Sequence, residues 1–399
     1  MLNMLKIKKL LRTVCFLLIF TGLLSISLYA DMTSAYVVDK KIEIENKDKN
    51  LFFYENGKLY VNLDKIAVSQ GYCLYNKTDN TITYKKDKTD VQPEIIIKFD
   101  LKKEKADKNE FKFDVKDGIK IKNKEVYIYR DYLKNILNVN IVKSEDKLKI
   151  SPLSFTGHNW IFMGNGLVAH AGGWVSESRQ IGNCREAVIN SYNRGHRVFE
   201  LDFNLTTDNK LAVVHDWAGY SGMKSSDEWK KRKIWDVYTS MMLEDILDIM
   251  LVNKDMLVIT DTKSFEYTTE QIKEQFKILI DTAKEKDPSL ELLNRLIPQI
   301  YNQPMYDIIM DQYNFGSVIY TLYKSPDKEN EVIEFIKKHS NIKVVTMAPP
   351  KNRSEFIKNI KKAGRYVYLH TINDLDEIEN YRKSGIWGFY TDNIYPSQK

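Results

Sequence analysis

Several residues whose side chains can perform acid–base or metal chemistry follow short apolar runs in the segment VFELDFNLTTDNKLAVVHDW, residues 198–217. Glu200 and Asp202 are two residues apart, so on a strand they project to the same side and can share one hard cation. His215 ends a later apolar run, and histidine is the residue type most suited to act as a general acid or base at neutral pH. The spacing predicts that these groups lie at strand ends and face a common site.

The same pattern recurs further along the chain. His170 ends LVAH, Asp261 and Lys263 end LVITDTK, and His370 ends YVYLH. Together with His215, three of the six histidines therefore follow apolar runs. A single histidine in such a place is more often structural than catalytic, but their joint occurrence favours a shared site. These positions must then be brought together by the fold.

The elements that position these residues begin near residue 155. Apolar runs recur there, with helical periodicity between most of them, as in TEQIKEQFKILIDTAKEK and ENEVIEFIKKH. Strands alternating with helices predict a parallel sheet, and the roughly 245 remaining residues are the usual size of an eight-stranded β/α barrel. Nine candidate strands compete for eight places. LAVVHD follows VFELDF too closely for a crossover helix, so one of this pair is expected to be an extension of the barrel.

The predicted fold class is therefore α/β, a (β/α)8 TIM barrel over residues 153–399. In such a barrel the carboxyl ends of the strands form the mouth of the active site. All of the ionisable residues named above end strands and are expected at that mouth. Asn183, just before a predicted helix, is expected to cap it and can also face the site.

Residues 31–152 have a different pattern, dense in Lys, Asp, Asn and Tyr, with short alternating runs typical of half-exposed strands. A weak repeat relates 57–84 to 123–150, each with the order strand, short helix and hairpin. This small α+β repeat domain resembles the copper amine oxidase N-terminal-like domain, a module of exported proteins of Gram-positive bacteria. The segment has no histidine and one cysteine, so the usual copper or zinc ligands are not available. The resemblance implies a spacer or wall-facing adhesion module.

Residues 1–30 have the composition of an export signal or an N-terminal membrane anchor. Basic residues at positions 6, 8, 9 and 12 precede an uncharged apolar stretch from Thr13 to Ala30. Cleavage after Ala30 and retention as a helix both remain open. The protein is therefore expected outside the cell, or anchored at the outer face of the cytoplasmic membrane of a Gram-positive bacterium. Cys73 and Cys184 fall in different predicted domains, so a structural disulfide is not expected.

The overall composition excludes several protein classes. With 43% hydrophobic and 29% charged residues and nine prolines, the 399-residue chain is globular and long enough for two domains. Its net charge of +6 comes from scattered residues, 60 basic and 54 acidic, so no basic face of the kind that binds nucleic acid is expected.

Seven motifs in order resemble those of glycerophosphodiester phosphodiesterases, within the phosphatidylinositol-phospholipase-C-like superfamily. They are AHAGG, NCREA, ELDFNLTTD, VVHD, TDTK, LHTIND and FYTDN, and they span the whole predicted barrel. The resemblance implies that a substrate hydroxyl adjacent to the phosphate attacks phosphorus and gives a cyclic phosphate. It also implies one divalent cation, Ca²⁺ or Mg²⁺, since oxygen ligands suit both.

The resemblance implies roles for most of nine candidate residues. They are Glu200, Asp202 and Asp261 as metal ligands, His170 and His215 as general base and general acid, and Lys263, Arg185, Trp217 and His370 as candidate substrate-binding residues. Of the last four, Arg185 is a candidate from its place in the sequence and not from the family pattern, and Trp217 either lines the substrate pocket or covers the end of the barrel. Asp261 stands where the family commonly has Glu, and its shorter side chain is expected to shift or hydrate the cation. Asp216 is expected to be a structural partner of a nearby donor.

Two departures from the family pattern concern the mouth. Ala171 replaces the arginine that usually follows the first histidine, and His370-Thr371 replaces the family's WT. Losing the guanidinium removes a bidentate phosphate contact, which Arg179 or Arg185 is expected to replace.

These departures leave two functional classes open. One is an exported, metal-dependent phosphodiesterase that acts on glycerophosphodiesters, lipid head groups or a glycerol-phosphate wall polymer. The other is a catalytically silent barrel that binds such ligands at the envelope. The expected partners are a phosphodiester or an envelope polymer and the membrane or cell wall, with no nucleic acid, and the oligomeric state is open. Paired acid and base groups favour the enzyme.

Overall fold

The computed structural model describes residues 42–46, 50–89, 92–153, 159–262, 267–350 and 354–398. The predicted signal or anchor segment, 1–30, and the predicted phosphate-binding Lys263 lie outside these ranges. Within the described residues, none of the helices combines the length and apolar composition that crossing a bilayer requires.

The part of the chain before residue 153 consists mainly of antiparallel strands. In chain order its elements are β1 (Ile42–Glu45), β2 (Phe52–Glu55), β3 (Lys58–Asn62), α1 (Leu63–Ser69), β4 (Cys73–Lys77), β5 (Thr81–Lys86), β6 (Ile95–Asp100), β7 (Lys105–Lys108), β8 (Phe111–Asp114), β9 (Ile119–Lys122), β10 (Glu125–Tyr129), α2 (Arg130–Ile136), β11 (Val139–Ser144) and β12 (Lys147–Pro152). They form three sheets, with the orders β1-β12-β11, β2-β3-β10-β9 and β4-β5-β6-β7-β8.

Both copies of the predicted repeat have the predicted order of elements. The first copy is β3, α1 and the hairpin β4-β5, and the second is β10, α2 and the hairpin β11-β12. The strands of the two copies, β3 and β10, pair with each other in antiparallel fashion. Asn62 caps α1 by accepting from the backbone N–H of Lys65 (3.1 Å).

The chain divides into two compact units. Of the described residues, one unit contains those up to Tyr72 together with Lys116–Leu153, and the other contains those between Cys73 and Val115 together with those from residue 159 onward. The β4–β8 sheet is thus grouped with the barrel and not with the rest of residues 31–152. Contacts between β8 and the first barrel helix explain this grouping, since the ring of Phe111 packs edge-on against Tyr192 at 4.8 Å. The independent folding of 31–152 and 153–399 stays a prediction.

From residue 159 onward, strands alternate with helices. The elements are β13 (Leu167–Ala169), α3 (Arg185–Asn193), β14 (Val198–Leu205), β15 (Leu211–Val213), α4 (Ser226–Lys231), β16 (Lys233–Ile234), β17 (Tyr238–Thr239), β18 (Met241–Met242), α5 (Leu243–Val252), β19 (Leu257–Asp261), α6 (Thr269–Lys286), β20 (Leu296–Ile300), α7 (Gln303–Met310), β21 (Val318–Thr321), α8 (Glu329–Lys338), β22 (Ile342–Met347), α9 (Ser354–Lys362), β23 (Tyr366–Leu369), α10 (Leu375–Lys383) and β24 (Gly388–Thr391).

Eight of these strands close into a parallel barrel. The order is β13-β14-β19-β20-β21-β22-β23-β24, and β24 pairs with β13 to complete the ring. The predicted TIM barrel is therefore confirmed. The ambiguity between VFELDF and LAVVHD is also resolved, because β15 runs antiparallel to the end of β14 and lies outside the ring.

Helix periodicity and end signals explain the helices around the barrel. In α6, Ile272, Phe276, Leu279 and Ala283 are buried at the spacing of one helical face. Thr268 caps α6 and forms a reciprocal pair of hydrogen bonds with Gln271, so the helix begins where the sequence places its capping box.

The amino-terminal end of the barrel is closed by the segment Asn159–Gly166. Within it, Trp160 is buried and donates its Nε1–H to Ser317 Oγ at 2.8 Å, just before β21. The backbone oxygen of Ile161 accepts from Trp387 Nε1 (2.8 Å), just before β24. The candidate active site therefore lies at the opposite end of the barrel, at the carboxyl ends of the strands.

Candidate active site at the carboxyl ends of the barrel strands

Three carboxylates meet at the ends of two neighbouring strands. Glu200 and Asp202 lie on β14, and Asp202 pairs in register with Asp261 on β19. All three side chains are buried, and one oxygen of each lies within 4.8 Å of the others. The alternation of a strand places positions 200 and 202 on one side, and the parallel register adds position 261. These oxygen atoms suit a hard divalent cation.

Neighbouring polar groups hold Glu200 and Asp202 in place. The backbone N–H of Ala171 donates to Glu200 Oε2 at 2.8 Å, and Asn183 Nδ2 donates to Asp202 Oδ2 at 2.6 Å. Cys184 occupies the N-cap position of α3 without a side-chain cap bond. The expected capping by Asn183 is therefore wrong, because its side chain is engaged by Asp202 instead, and its second expected role, facing the site, is the one observed.

Asp261 has a partner that the sequence analysis did not identify. The hydroxyl of Tyr301, which directly follows β20, donates to Asp261 Oδ1. Burial raises the pKa of Tyr301 far above its usual value, and the negative charge of Asp261 adds to this. The phenol therefore remains a hydrogen-bond donor. In the sequence, Tyr301 directly follows the apolar run LIPQI, and this position at a strand end could have identified it as a residue of the site.

His170 is oriented by a second carboxylate. Its Nδ1 lies 2.7 Å from Asp392 Oδ1, while its Nε2 lies 4.0 Å from Glu200 Oε2. Asn373 fixes Asp392 by donating from Nδ2 to Oδ2 at 2.6 Å. Burial alone would lower the pKa of His170, but the Asp392 hydrogen bond and the charges of Glu200, Asp392 and Asp202 raise it to about 9. A cation bound by the carboxylates would offset part of that charge.

His215, which lines the same two cavities, is also paired with a carboxylate. Its Nδ1 lies 2.7 Å from Asp216 Oδ2, and Asp216 Oδ1 accepts from the backbone N–H of Ala218 at 2.9 Å. The His215 hydrogen bond holds the pKa of Asp216 below its usual value, although burial acts in the opposite direction. Asp216 is thus the partner of a nearby donor, as expected, and that donor is the candidate general acid.

Two cavities meet at the two histidines. The inner cavity, about 200 Å³, is lined by His170, His215, Glu200, Asp261, Gln299, Thr321, Tyr323, His370 and Tyr390. The outer cavity, about 590 Å³, shares both histidines and extends to Trp174, Tyr220, Arg232, Lys233 and Trp235, among others. A third cavity of about 640 Å³, between residues 88–94 and helices α5 and α6, is lined by none of these site residues.

Of the predicted substrate-binding residues that the structure describes, one lines a cavity of the mouth and two do not. His370 lines the inner cavity, with its ring 5.9 Å from that of Tyr323. Arg185 begins α3 and forms an ion pair with Glu110. Trp217 donates to the backbone oxygen of Leu205 at 3.0 Å and packs against other aromatic rings. Arg185 and Trp217 therefore do not line either cavity of the mouth.

The replacement expected for the missing arginine is also placed elsewhere. Arg179 stands over the ring of Tyr238 at 5.9 Å and lines neither cavity. The basic side chains that do line the outer cavity are Arg232 and Lys233, which the sequence analysis did not single out. Their signal was the basic run WKKRK shortly after VVHD.

A closed parallel barrel with an acidic cluster and two carboxylate-paired histidines at its carboxyl end is an enzyme scaffold of the TIM-barrel class. Residues 176–395, more than half of the chain, match the model of the glycerophosphoryl diester phosphodiesterase family. The chain belongs to this family, and is thus a phosphoric diester hydrolase of the glycerophosphodiester phosphodiesterase class. A comparison with curated protein sequences finds no significant match.

Solved structures similar to the chain include three bacterial proteins. A glycerophosphodiester phosphodiesterase from Parabacteroides distasonis has 18% identity and a TM-score of 0.46, over 58% of this chain and 94% of that one. A phosphodiesterase from Oleispira antarctica, in complex with the product sn-glycerol-3-phosphate, has 16% identity and a TM-score of 0.46, over 58% and 94%. A glycerophosphodiester phosphodiesterase from Thermotoga maritima has 18% identity and a TM-score of 0.44, over 57% and 94%.

Proposed function

We propose that the protein is an exported, metal-dependent phosphodiesterase that cleaves glycerophosphodiester-type substrates with His170 and His215 as the acid–base pair. The observation that carries the proposal is the position of these histidines. They are the residues at which both cavities meet, and Glu200 lies 4.0 Å from the Nε2 atom of His170. A phosphodiester placed there has an alcohol on each side and a carboxylate cluster beside it.

The carboxylate cluster fits a divalent cation. Glu200, Asp202 and Asp261 offer only oxygen atoms, are buried, and stand within 4.8 Å of one another, which suits Ca²⁺ or Mg²⁺. Three like charges so close together in a buried site are costly without a counter-charge. When bound, a divalent cation neutralises charge on the phosphate oxygens and so favours attack at phosphorus.

The two histidines move the protons. In the cyclising route, the unprotonated form of His170, which a cation on the neighbouring carboxylates would favour by lowering its pKa, accepts the proton of the attacking substrate hydroxyl as the new O–P bond forms. His215 donates a proton to the leaving oxygen as the old P–O bond breaks, so the reaction conserves charge and protons. Asp392 and Asp216 hold the two Nδ1 atoms at 2.7 Å, which leaves each Nε2 for the substrate. Acid–base pairing of this kind supports an enzyme over a silent binding barrel.

The remaining features concern where the enzyme acts. The basic and apolar composition of residues 1–30 supports export or anchoring at the outer face of the membrane. The repeat formed by β3, α1, β10 and α2 is compatible with the copper amine oxidase N-terminal-like module and a spacer or wall-facing role. A lipid head group or a glycerol-phosphate polymer is then the substrate at the envelope.

A panel of phosphodiesters tests the proposal directly. The purified full-length chain is stripped with a chelator, dialysed, and assayed on glycerophosphoglycerol and glycerophosphocholine with Ca²⁺ or Mg²⁺ restored separately. We expect turnover that disappears with the chelator and returns with one of the ions. Turnover that is unaffected by the chelator would contradict the metal assignment, and absence of cleavage under every condition would favour the silent barrel.

A further inference from the structure

The outer cavity is walled on one side by residues 217–239, which we name the cap lobe. Its helix α4 is fixed by the reciprocal cap between Ser225 and Glu228 and by buried Trp229, whose Nε1 donates to the backbone oxygen of Met241 at 3.0 Å. Ser240 Oγ then donates to the backbone oxygens of Trp229 (2.6 Å) and Arg232 (2.9 Å). The backbone that carries the two basic residues of the cavity is therefore held by buried contacts.

The two cations on this wall have neutral partners. The guanidinium of Arg232 stands over the ring of Tyr220 at 5.1 Å, and Lys233 Nζ donates to Thr239 Oγ1 at 3.0 Å. Among the residues that the structure describes, neither forms an ion pair with a carboxylate. Both are thus available to an anion that enters the cavity, and a guanidinium binds phosphate through two parallel N–H donors.

The acidic residues of the same cavity do not cancel this charge. Asp216 and Asp392 are each hydrogen-bonded to a histidine, and Asp202 belongs to the carboxylate cluster. The remaining carboxylate of this cavity is that of Asp236, at the turn of the cap-lobe hairpin, and it is the one that could offset the charges of Arg232 and Lys233. The part of the wall that Arg232 and Lys233 form therefore carries two positive charges against the one negative charge of Asp236, and this part of the cavity is where a negative group can bind.

A strained aromatic residue stands beside these cations. Trp235 has a φ of 50°, a left-handed conformation that bulky residues seldom adopt, and its side chain is 67% exposed at the edge of the cavity. Such backbone strain persists at ligand clamps and active sites, where the surrounding structure imposes it. An exposed indole at this place offers a rigid apolar surface to the carbon atoms of a bound polyol.

We propose that Arg232 and Lys233 form a subsite for a second anionic group of the substrate, which rests on the proposed phosphodiesterase function. The ligand class is a glycerophosphodiester whose second alcohol carries a further phosphate. The inner cavity of about 200 Å³ takes a glycerol-sized group, and the outer cavity of about 590 Å³ takes the longer, phosphorylated one.

The test compares three water-soluble substrates that differ in the charge of the second group. They are glycerophosphoglycerol, the same compound with a terminal phosphate, and glycerophosphocholine. We expect the wild-type KM to be about tenfold lower for the phosphorylated compound, the effect of one or two hydrogen bonds to a charged group. The double variant Arg232→Gln/Lys233→Gln should lose this preference and keep its kcat/KM on glycerophosphoglycerol within about twofold.

The adjacent lysines supply a matched control. Lys230→Gln/Lys231→Gln removes the same charge from α4, at side chains that do not line the cavity, and should keep the preference. A preference that survives in Arg232→Gln/Lys233→Gln, an equal loss in both double variants, or tighter binding of the choline compound would overturn the subsite. Presenting the phosphorylated group on a diacyl lipid in detergent micelles then separates a lipid from a polymer as its source.

Calorimetric binding of the same three compounds separates this inference from the proposed function. If no compound is cleaved but the phosphorylated one binds about tenfold more tightly, and only in proteins that keep Arg232 and Lys233, the subsite holds and the hydrolase activity fails. If compounds are cleaved and the neutral and phosphorylated ones bind equally, the activity holds and the subsite is refuted.

Discussion

Strands β14 and β19 carry buried charges at both ends, and the two ends are built in opposite ways. At the amino ends, Arg197 precedes β14 and Asp255 precedes β19, with Arg197 Nε 2.5 Å from Asp255 Oδ2. Tyr192 also donates to Asp255 at 2.6 Å. At the carboxyl ends of the same strands stand three like charges, those of Glu200, Asp202 and Asp261.

The difference separates charge that serves stability from charge that serves chemistry. A buried ion pair with additional hydrogen bonds satisfies its own charge, so breaking it is costly. Three carboxylates within 4.8 Å repel one another, so they lower the stability of the fold unless a positive charge, such as protonated His170 or a bound cation, compensates them. The barrel thus accepts a destabilising arrangement at the mouth, as functional sites commonly do, and compensates its charges at the other end.

The largest effects are expected from the histidines at the mouth. His170→Ala and His215→Ala should each lower kcat on a confirmed phosphodiester by ~10² to 10⁴, the usual contribution of general acid or base groups. The double variant should cost much less than the product of the two, because the pair acts as one unit. Cation affinity should change little, which calorimetry with Ca²⁺ or Mg²⁺ measures.

His339→Ala is the control for these two variants. This histidine packs on the ring of Phe335 at 4.2 Å, next to α8, and lines neither mouth cavity. It should keep wild-type kcat per folded molecule. Near wild-type turnover in either His170→Ala or His215→Ala would contradict the paired mechanism.

Removing one charge from the carboxylate cluster should separate stability from activity. Glu200→Gln preserves the size of the side chain and an acceptor for the Ala171 N–H, but takes away a candidate metal ligand. We expect kcat/KM to fall by about 10²- to 10³-fold, as when a main electrostatic contact of the transition state is lost, and cation affinity to fall with it. In chelator, Tm should equal or exceed that of the wild type, because one repulsive charge is gone. A lower Tm in chelator would show that the cluster is not self-repelling.

Replacing a carboxylate by its amide at the amino ends of the strands should lower stability and leave activity unchanged. Asp255→Asn leaves the largely buried Arg197, whose side chain is 17% exposed, without its counter-charge, and the expected loss is about 3 to 5 kcal/mol in the free energy of unfolding. Asp281→Asn, which breaks the exposed pair with Lys277, should cost less than about 1 kcal/mol. Urea titrations measure both. Unchanged kcat per folded Asp255→Asn molecule is part of the prediction, and a loss as large as that of Glu200→Gln would refute the contrast.

The contrast between the two ends also explains what the sequence could predict. Glu200, Asp202 and Asp261 were predictable because they follow apolar runs, and parallel strands place their carboxyl ends together. The eight-stranded barrel followed from the same runs, and the short distance between VFELDF and LAVVHD predicted that one of the two lies outside it, while the structure shows that this strand is β15. Local periodicity determines such features, so a single sequence contains them.

Long-range partners could not be obtained in this way. Asp392 is hydrogen-bonded to His170, 222 residues away in sequence, and Arg185 is bonded to Glu110 of the β4–β8 sheet, 75 residues away. No local pattern encodes these pairs, because they depend on how β13 meets β24 and how β8 meets α3. The same holds for residues 73–115, which begin within the first repeat (57–84) but are grouped with the barrel by their packing.

The smallest expected effect concerns Lys108, which lies on β7 and is fully buried beside the amino-end ion pair. Burial lowers its pKa most, Asp255 opposes this and Arg197 adds to it, and the result is about 7. Below pH 7 the lysine is charged in both the folded and the unfolded chain. Between pH 7 and about 10 the unfolded chain keeps a proton that the folded chain has released, so the free energy of unfolding should rise with pH.

The expected slope in that window approaches about 1.4 kcal/mol per pH unit, so urea titrations at pH 7.0 and 8.5 should differ by about 1 to 2 kcal/mol. Lys108→Met removes the titrating group and should flatten the profile. Lys112→Met, an exposed lysine of the same sheet, should keep the wild-type slope. If Lys108→Met retains the slope, the rise belongs to other groups. Lys108 would then stay charged in the folded chain in the neutral pH range, and it would not contribute to the pH dependence of the free energy of unfolding.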